Sequence, residues 1–550
     1  MNLFAHLFER LDSTQSTSEK VDAIAEYFAA APAEDAAWAL FILTGERLRG
    51  SVNTRVMREE AALVAGVPLW LLDECYGSVG DLSETLALLL PPPDRAASHL
   101  SLAQVMEGKV RALVAATEAQ QRTMLREVWS TLDERARLIF HKLIRGGLRL
   151  GVQRKLVIRG LARAGSIDEG LIERRLIGGV KPSAAAFNAI MRCEQTDADR
   201  GRPVPFMLAN QLPAAHMDNP GGLLADITAW RAEWKYDGIR AQIVRAHNAT
   251  HVWSRGEELI DTQFPEVVAI GRRLPAGTIL DGEVLVWRGE KPAPFAVLQT
   301  YLNRVHAKSA QPGLFDTQRV IFMAFDILEH AETDLRLQSL EERRAILQRE
   351  VERVGDDGLR LSPRVEATSW QELSAIRAGA RERNVEGLML KHAASTYVSG
   401  RHRVETDTQA AGGWWKWKLD PYSVDAVLIH AQPGSGKRAG LYTDYTFGLW
   451  QERQDGTREL VTFAKAYSGL DQREIEEVDA FIRAHTTQRS GTFRSVEPRL
   501  VFEIGFEGVQ DSTRHKSGVA VRFPRILRWR RDKTPGDADT IATLRAMMKA

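Results

Sequence analysis

The segment Glu233-Trp234-Lys235-Tyr236-Asp237-Gly238-Ile239-Arg240 places a lysine at the end of a β-rich run, with Asp-Gly two residues on. An amine there stands at a tight turn where backbone can approach a ligand. Lysine becomes a nucleophile when burial or nearby cations lower its pKa. Lys-x-Asp-Gly alone is a weak signal, expected by chance in about one of ten chains this long. It is followed by Leu280-Asp281-Gly282-Glu283, by Phe322 to Leu328 (FMAFDIL), by Glu386-Gly387-Leu388-Met389-Leu390-Lys391 and by Trp414-Trp415-Lys416-Trp417-Lys418. Arg522-Phe523-Pro524-Arg525 and Arg528 to Lys533 close the series. One amine, two separated glutamates and alternating lysines suit a nucleotide phosphate with a divalent metal. Carboxylates hold Mg²⁺, with Mn²⁺ served by similar oxygen ligands, and lysines neutralise phosphate charge.

The elements that must carry these residues change along the chain. Up to about residue 200 the apolar spacing is helical: Phe4, Leu7, Phe8 and Leu11, then Val21, Ile24, Ala25 and Phe28. Ala36 to Leu43 is apolar all round and predicts a buried helix. Leu88 to Asp94 (LLLPPPD) reads as a helix end and linker, and Asn219-Pro220-Gly221-Gly222 as a turn. From Trp230 short β-rich runs appear, interrupted by helices at Leu340 to Val351 and Trp370 to Arg383. After Pro421, strand-like runs at Val424 to Ala431, Tyr445 to Gln451, Leu460 to Tyr467 and Leu500 to Phe506 surround one helix, Asp471 to His485. Asp455-Gly456 is a hairpin signal. The fold class is multidomain: an all-α N-terminal domain over 1–200, an α+β domain over 201–421 and a β-barrel of the OB-fold kind over 422–550.

Composition agrees. At 550 residues, 44% apolar and 26% charged, the chain is globular and too long for one core. Two cysteines, Cys75 and Cys193, supply neither a four-cysteine zinc site nor a disulfide framework. No apolar run approaches the roughly 18 residues of a membrane span, and the start lacks a signal pattern, so a cytoplasmic chain is expected. The net charge of +1 hides two basic blocks: Lys142 to Lys181, ten cations against three acids, and Arg514 to Lys533, eight against one. Such blocks suggest localised contact with a polyanion. Gly434-Ser435-Gly436-Lys437 hints at a P-loop, but Ala431 and Arg438 break that pattern.

In this order, the blocks resemble the six motifs of the covalent nucleotidyltransferases: DNA ligases, RNA ligases and mRNA capping enzymes. Their wording is similar to ATP-dependent DNA ligases of the bacterial kind. The run FEGVQDSTRHKSGVAVRFPRILRWRRDK resembles that family's C-terminal motif, and WWKWKLDP with GSGKRAGLYTDYTFGLW its motif V and following OB region. Leu40 to Arg47 and His141 to Gly151 (HKLIRGGLRLG) look like the helical DNA-binding domain of ligases, where glycines between basic residues let N–H groups reach phosphates.

The resemblance implies an ATP-dependent DNA ligase acting on nicked duplex DNA. Lys235 would attack the α-phosphate of ATP and carry AMP. Glu233 would contact the adenine and Phe325 stack on it. Arg240 and Arg255 would bind ribose, phosphate or the nick. Glu283 would touch ribose or join Glu386 in holding metal. Lys416 and Lys418 would hold the α-phosphate. Arg525, Arg528, Arg530 and Lys533 would orient pyrophosphate. Lys142, Arg145, Arg149, Arg154 and Lys155 would grip DNA. The family carries an arginine shortly before motif V; here Arg401 and Arg403 are both candidates, because an apparent insertion, Val404 to Gly413, follows them. Monomer is the default for a DNA clamp. The rivals are an RNA ligase or capping-type enzyme, and a DNA-binding clamp with decayed chemistry.

Overall fold

The computed structural model describes residues 1–550 except 49, 51, 94–99, 147, 149–150, 307–317, 402–412, 435–439, 454, 492 and 549–550. Among the described residues, every element before Met207 is helical. The first helices, Asn2–Ser13, Thr17–Ala30 and Ala33–Leu43, bury Phe4, Leu11, Ile24, Trp38 and Leu40 against Ile139, Phe140 and Leu161 of later helices. Their ends are set by capping side chains: Ser16, Asn53, Asp81, Thr117 and Asp133 each accept a first-turn N–H. These bonds satisfy donors that the helix itself leaves orphaned. As the sequence predicts, Ala33–Leu43 is buried on nearly all sides and the helix Leu82–Leu89 stops before the prolines.

Beyond Met207 the chain folds as two sheets packed over a cleft. The strands are β1 (Met207–Leu208), β2 (Asn210–Gln211), β3 (Trp230–Tyr236), β4 (Ile239–Arg245), β5 (Thr250–Ser254), β6 (Thr278–Arg288), β7 (Lys291–Pro292), β8 (Gln318–His330), β9 (Thr333–Asp334), β10 (Leu359–Leu361), β11 (Val385–His392), β12 (Gly400–Arg401) and β13 (Trp414–Lys418). One sheet runs β10-β8-β6-β4-β5, with β7 on β6 and β9 on β8; the other runs β2-β13-β11-β3, and β1 pairs with β12. The helices Pro265–Gly271 and Leu340–Val354 cover the first sheet, and Trp370–Ala378 covers the second. One expectation holds and one needs correction. The turn at Asn219 to Gly222 is there, its Gly222 N–H donating to the Asn219 carbonyl at 3.3 Å, and it runs on into a single helical turn, Gly221–Leu224. The helix expected over Trp370 to Arg383 ends at Ala378, because Gly379 interrupts it and Asn384 turns left-handed at φ 56°.

The strands of the C-terminal part are β14 (Tyr422–Pro433), β15 (Tyr442–Glu452), β16 (Arg458–Ala466), β17 (Thr486–Ser490), β18 (Phe493–Val496), β19 (Val501–Phe506), β20 (Gly508–Asp511), β21 (Val519–Arg522) and β22 (Arg525–Trp529). The long β14 pairs antiparallel with β15, β18 and β19 in turn, bending the sheet into the barrel of an OB-fold. Asp455-Gly456 does turn β15 into β16, and Gly456 takes a φ of 80°. The single long helix is Gln472–Ala484. By packing, Met1–Trp417 and Lys418–Ala550 are two compact units. No described helix is long and apolar enough to cross a membrane.

Candidate functional site

Strand alternation builds the cleft. On β3, Glu233 and Lys235 face one way, while Trp230, Ala232 and Trp234 join the apolar layer on the far side of their sheet. β13 repeats the device: Trp414 and Lys416 line the cleft, and Trp415 and Trp417 pack behind it. On β11, Met389 and Lys391 face the cleft and Leu388 and Leu390 face away. The cleft, of about 140 Å³, is lined by Leu208, Glu233, Lys235, Arg240, Arg255 and Glu283, and closed by Phe325, Met389, Lys391, Trp414 and Lys416. A wider cleft of about 710 Å³ lies along Gly178 to Lys181 and Gly256 to Glu258 but holds none of these groups.

Glu386 reaches Lys235 through a fault in the pairing. Between Val385 and Leu388 the register with β3 slips, Tyr236 and Trp234 of β3 facing Val385 and Leu388 of β11. Gly387 takes up the extra residue at φ 131°, a conformation that side chains resist. The bulge turns Glu386 to the cleft side, where its carboxylate accepts from the Lys235 ammonium. Glu283 stands beside this pair and accepts the Gly238 N–H at 3.2 Å. A Cβ on Gly238 would lie 2.4 Å from the Val284 carbonyl oxygen, so the turn after Lys235 closes on β6 only with glycine there. Burial pushes the Glu283 carboxyl up to about 7; Lys235 and Arg240 pull it down, and Glu386 adds to the rise.

At the inner end, Glu233 is buried and both its oxygens are taken, one by Arg344 and one by Lys391, each at 3.1 Å. Burial lowers the pKa of Lys391, whose ammonium lies 4.4 Å from the Phe325 ring and 4.5 Å from Trp414. Phe325 and Trp414 meet edge to face at 6.0 Å. Arg240 is held by buried Asp281 through Nε at 3.2 Å and Nη2 at 2.7 Å, and this pairing raises its pKa. Arg255 is exposed at the rim, its N–H donating to the Arg240 carbonyl at 2.9 Å. Arg401 is exposed on β12 beside Leu208 and does not line the cleft; Arg403 lies outside the described residues. The sequence names Lys391 and Asp281 within its motifs without giving them a role, and does not single out Arg344 or Tyr397. The period of two in Leu388-Met389-Leu390-Lys391 was a signal for the first. Arg344, on a helix far along the chain, left none.

The basic residues are mostly occupied. Lys142 pairs with Asp81 at 2.8 Å, Arg145 donates to the Ser83 hydroxyl at 3.2 Å, and Arg154 meets Glu257 at 2.6 Å. Lys155 is exposed. Arg149 and the Ser435-Gly436-Lys437 loop lie outside the described residues. In the C-terminal unit, Arg525 and Lys418 both approach Glu507, at 2.9 and 3.5 Å, and Arg528 binds Glu503 at 2.6 Å. Arg530 and Lys533 share Asp425.

The two-sheet middle region that holds this cleft is a nucleotidyltransferase fold. Three family models match the chain: DNA ligase N terminus over residues 1–162, ATP dependent DNA ligase domain over 207–418, and ATP dependent DNA ligase C terminal region over 438–533. A probable DNA ligase of Koribacter versatilis is 30% identical across 98% of this chain and 95% of its own length. A probable DNA ligase of Anaeromyxobacter is also 30% identical, across 99% and 97%. The solved structure Pmar-Lig_Pre shares the fold, with a TM-score of 0.58 at 15% identity over 96% of this chain and 99% of that one. The chain belongs to the ATP-dependent DNA ligase family and is an enzyme of that kind: it uses ATP, and DNA is its substrate.

Proposed function

We propose that Lys235 is the nucleophile of a three-step nick-sealing reaction. Its Nζ attacks the α-phosphorus of ATP, the bond to the β-phosphate oxygen breaks, and pyrophosphate leaves a lysyl–AMP. The AMP passes to the 5′-phosphate at a nick, releasing the lysine. The 3′-hydroxyl then attacks that phosphate, and AMP departs. The observation carrying this reading is the convergence of Lys235, Glu283 and Glu386 at the mouth of the cleft, above the floor made by Glu233 and Lys391.

Glu233 and Phe325 would receive the adenine, Arg240 and Arg255 the ribose and phosphates or the nick, and Lys416 and Lys418 the α-phosphate. Mg²⁺ fits two neighbouring carboxylates better than a closed cage. No cluster of three or more ligand side chains occurs among the described residues, and Mg²⁺ commonly shares one or two carboxylates with substrate phosphates. Glu283 and Glu386 would hold it, and it would neutralise phosphate charge. Arg525, Arg528, Arg530 and Lys533 would orient pyrophosphate after exchanging their present carboxylate partners. Lys142, Arg145, Arg149, Arg154 and Lys155 would meet DNA phosphates without reading bases. We divide the chain into a helical domain at 1–200, an adenylation domain at 201–421 and an OB-fold domain at 422–550, working as a cytoplasmic monomer in repair, replication or recombination.

The test is sealing of a 5′-phosphorylated nick with Mg²⁺ and, separately, ATP, NAD or GTP. Sealing with ATP alone, and its loss together with the protein–AMP adduct in Lys235→Ala, supports the assignment. An adduct that persists in the alanine variant would place the nucleophile elsewhere.

A further inference from the structure

Tyr397 lies between β11 and β12, in no motif, and its hydroxyl is a junction. It donates to Asp281 Oδ2 at 2.7 Å and accepts the Met207 N–H at 3.0 Å. Arg240 Nη2 approaches the same oxygen at 3.4 Å. The Asp281 carboxylate can only accept, so the hydroxyl proton is committed to it and the oxygen's lone pairs face the two N–H donors. Arg240 Nη1 in turn donates to the Met207 carbonyl at 2.7 Å. The result is a closed ring, Tyr397–Asp281–Arg240–Met207, in which one residue, Met207, is clamped at both its N–H and its C=O.

Two walls of the nucleotide cleft hang on this ring. One is Arg240 itself, and the other is the segment after Met207, whose Leu208 and Ala209 line the cleft. The ring of Tyr397 also meets Trp414 edge to face at 5.7 Å, and Trp414 meets Phe325 in the same way. Asp281 is fully buried and Tyr397 nearly so, and the tyrosine backbone is tied by its own N–H to the Arg336 carbonyl at 2.8 Å.

We propose that Tyr397 is a positioning residue for nucleotide binding: its hydroxyl sets Arg240 and the Met207–Ala209 wall against the nucleoside part of the substrate. This rests on the cleft being the ATP site. Tyr397 does not itself line the cleft and acts through Arg240 and the Met207–Ala209 wall, so its loss weakens binding of ground state and transition state alike. That raises KM and leaves kcat in place.

The experiment is self-adenylation of the full chain with ATP labelled on its α-phosphate, parent against Tyr397→Phe, over a range of ATP. KM rises about ten-fold, as expected for one buried hydrogen bond to a charged group, and kcat stays within about two-fold. Asp281→Asn keeps the volume but weakens the same ring, and shifts KM in the same direction. In an Arg240→Lys background the tyrosine substitution costs less than about two-fold, because its effect runs through Arg240. An unchanged KM, a loss confined to kcat, or additive losses with Arg240→Lys would each overturn the proposal. A parent chain that forms no adduct overturns the site assignment itself; a parent that adenylates beside variants of unchanged KM overturns the positioning role alone.

Discussion

Lys235 donates to the Glu386 carboxylate across the β3–β11 pair, although 151 residues separate them in the chain. Both side chains are about four-fifths buried, at 21% and 17% exposure, so the contact is shielded from solvent. Lys235→Ala abolishes the protein–AMP adduct. Glu386→Gln removes charge where phosphate and metal are proposed to bind, and slows self-adenylation by about 10²–10³-fold. Binding of nicked DNA, read by fluorescence anisotropy, changes little in either variant. A Glu386→Gln enzyme that adenylates at the parent rate would release that residue from the chemistry.

Glu283 makes the site sensitive to pH. Its carboxyl is pushed up to about 7, above the ordinary 4.5, with burial the largest cause. Self-adenylation therefore rises with pH between about 6 and 8. Added Mg²⁺ moves the midpoint lower, because a cation favours the ionised form. The same shift acts on stability. Between about 4.5 and 7 the unfolded chain releases this proton before the folded chain does, so stability falls as pH rises through that window. At pH 7.5 without metal, Glu283→Gln is therefore more stable than the parent by about 1–3 kcal/mol, while adenylating far more slowly. A thermal melt of the two proteins checks this, and equal or lower stability in the variant would refute it.

His141 acts in the opposite direction. It is fully buried; the Trp129 indole donates to Nε2 at 2.7 Å, so Nδ1 carries the proton, 3.1 Å from the Ser83 carbonyl oxygen. Burial brings its pKa from 6.5 down to about 4. The unfolded chain binds a proton first as pH falls, so this contribution is complete above about 6.5 and is lost on acidifying through 4. It amounts to about 3 kcal/mol. Urea titrations followed by tryptophan fluorescence at pH 7 and pH 5 show the loss. His141→Gln has a flatter pH dependence and lower stability at pH 7.

Arg154 meets Glu257 in a pair about one-third exposed on each side. Such a pair is worth about 1 kcal/mol or less, so DNA phosphates can displace it. Glu257→Gln frees the arginine and tightens binding of nicked duplex by up to about five-fold at low salt, and the gain fades as salt is raised. An unchanged affinity across the salt series would take Arg154 out of the DNA interface.

Much of the site was legible because strands alternate. Glu233 and Lys235, and Trp414 and Lys416, are two apart, so each pair shares a face once the run is known to be a strand. Phe325 packs against a core cluster and also lines the cleft. The pairing of cations was not legible. Arg530 and Lys533 share Asp425 from over a hundred residues away, and Arg154 finds Glu257 in another region of the chain. Ion pairs of that reach depend on how elements pack, which spacing does not encode.

By itself the sequence determined the order of helical, mixed and barrel regions, and it named the lysine, glutamates and tryptophan–lysine strand proposed to carry the chemistry. These follow from local periodicity and from side-chain type. The tertiary structure alone decided that Glu386 faces Lys235. Simple alternation puts residue 386 on the opposite face from Met389 and Lys391, and only the bulge at Gly387, set by how β11 registers on β3, turns it back. The same holds for Tyr397, whose hydroxyl gains its meaning from Asp281, Arg240 and Met207 arriving from three separate segments. Register and packing are long-range choices, and they placed the groups that the local pattern could only name.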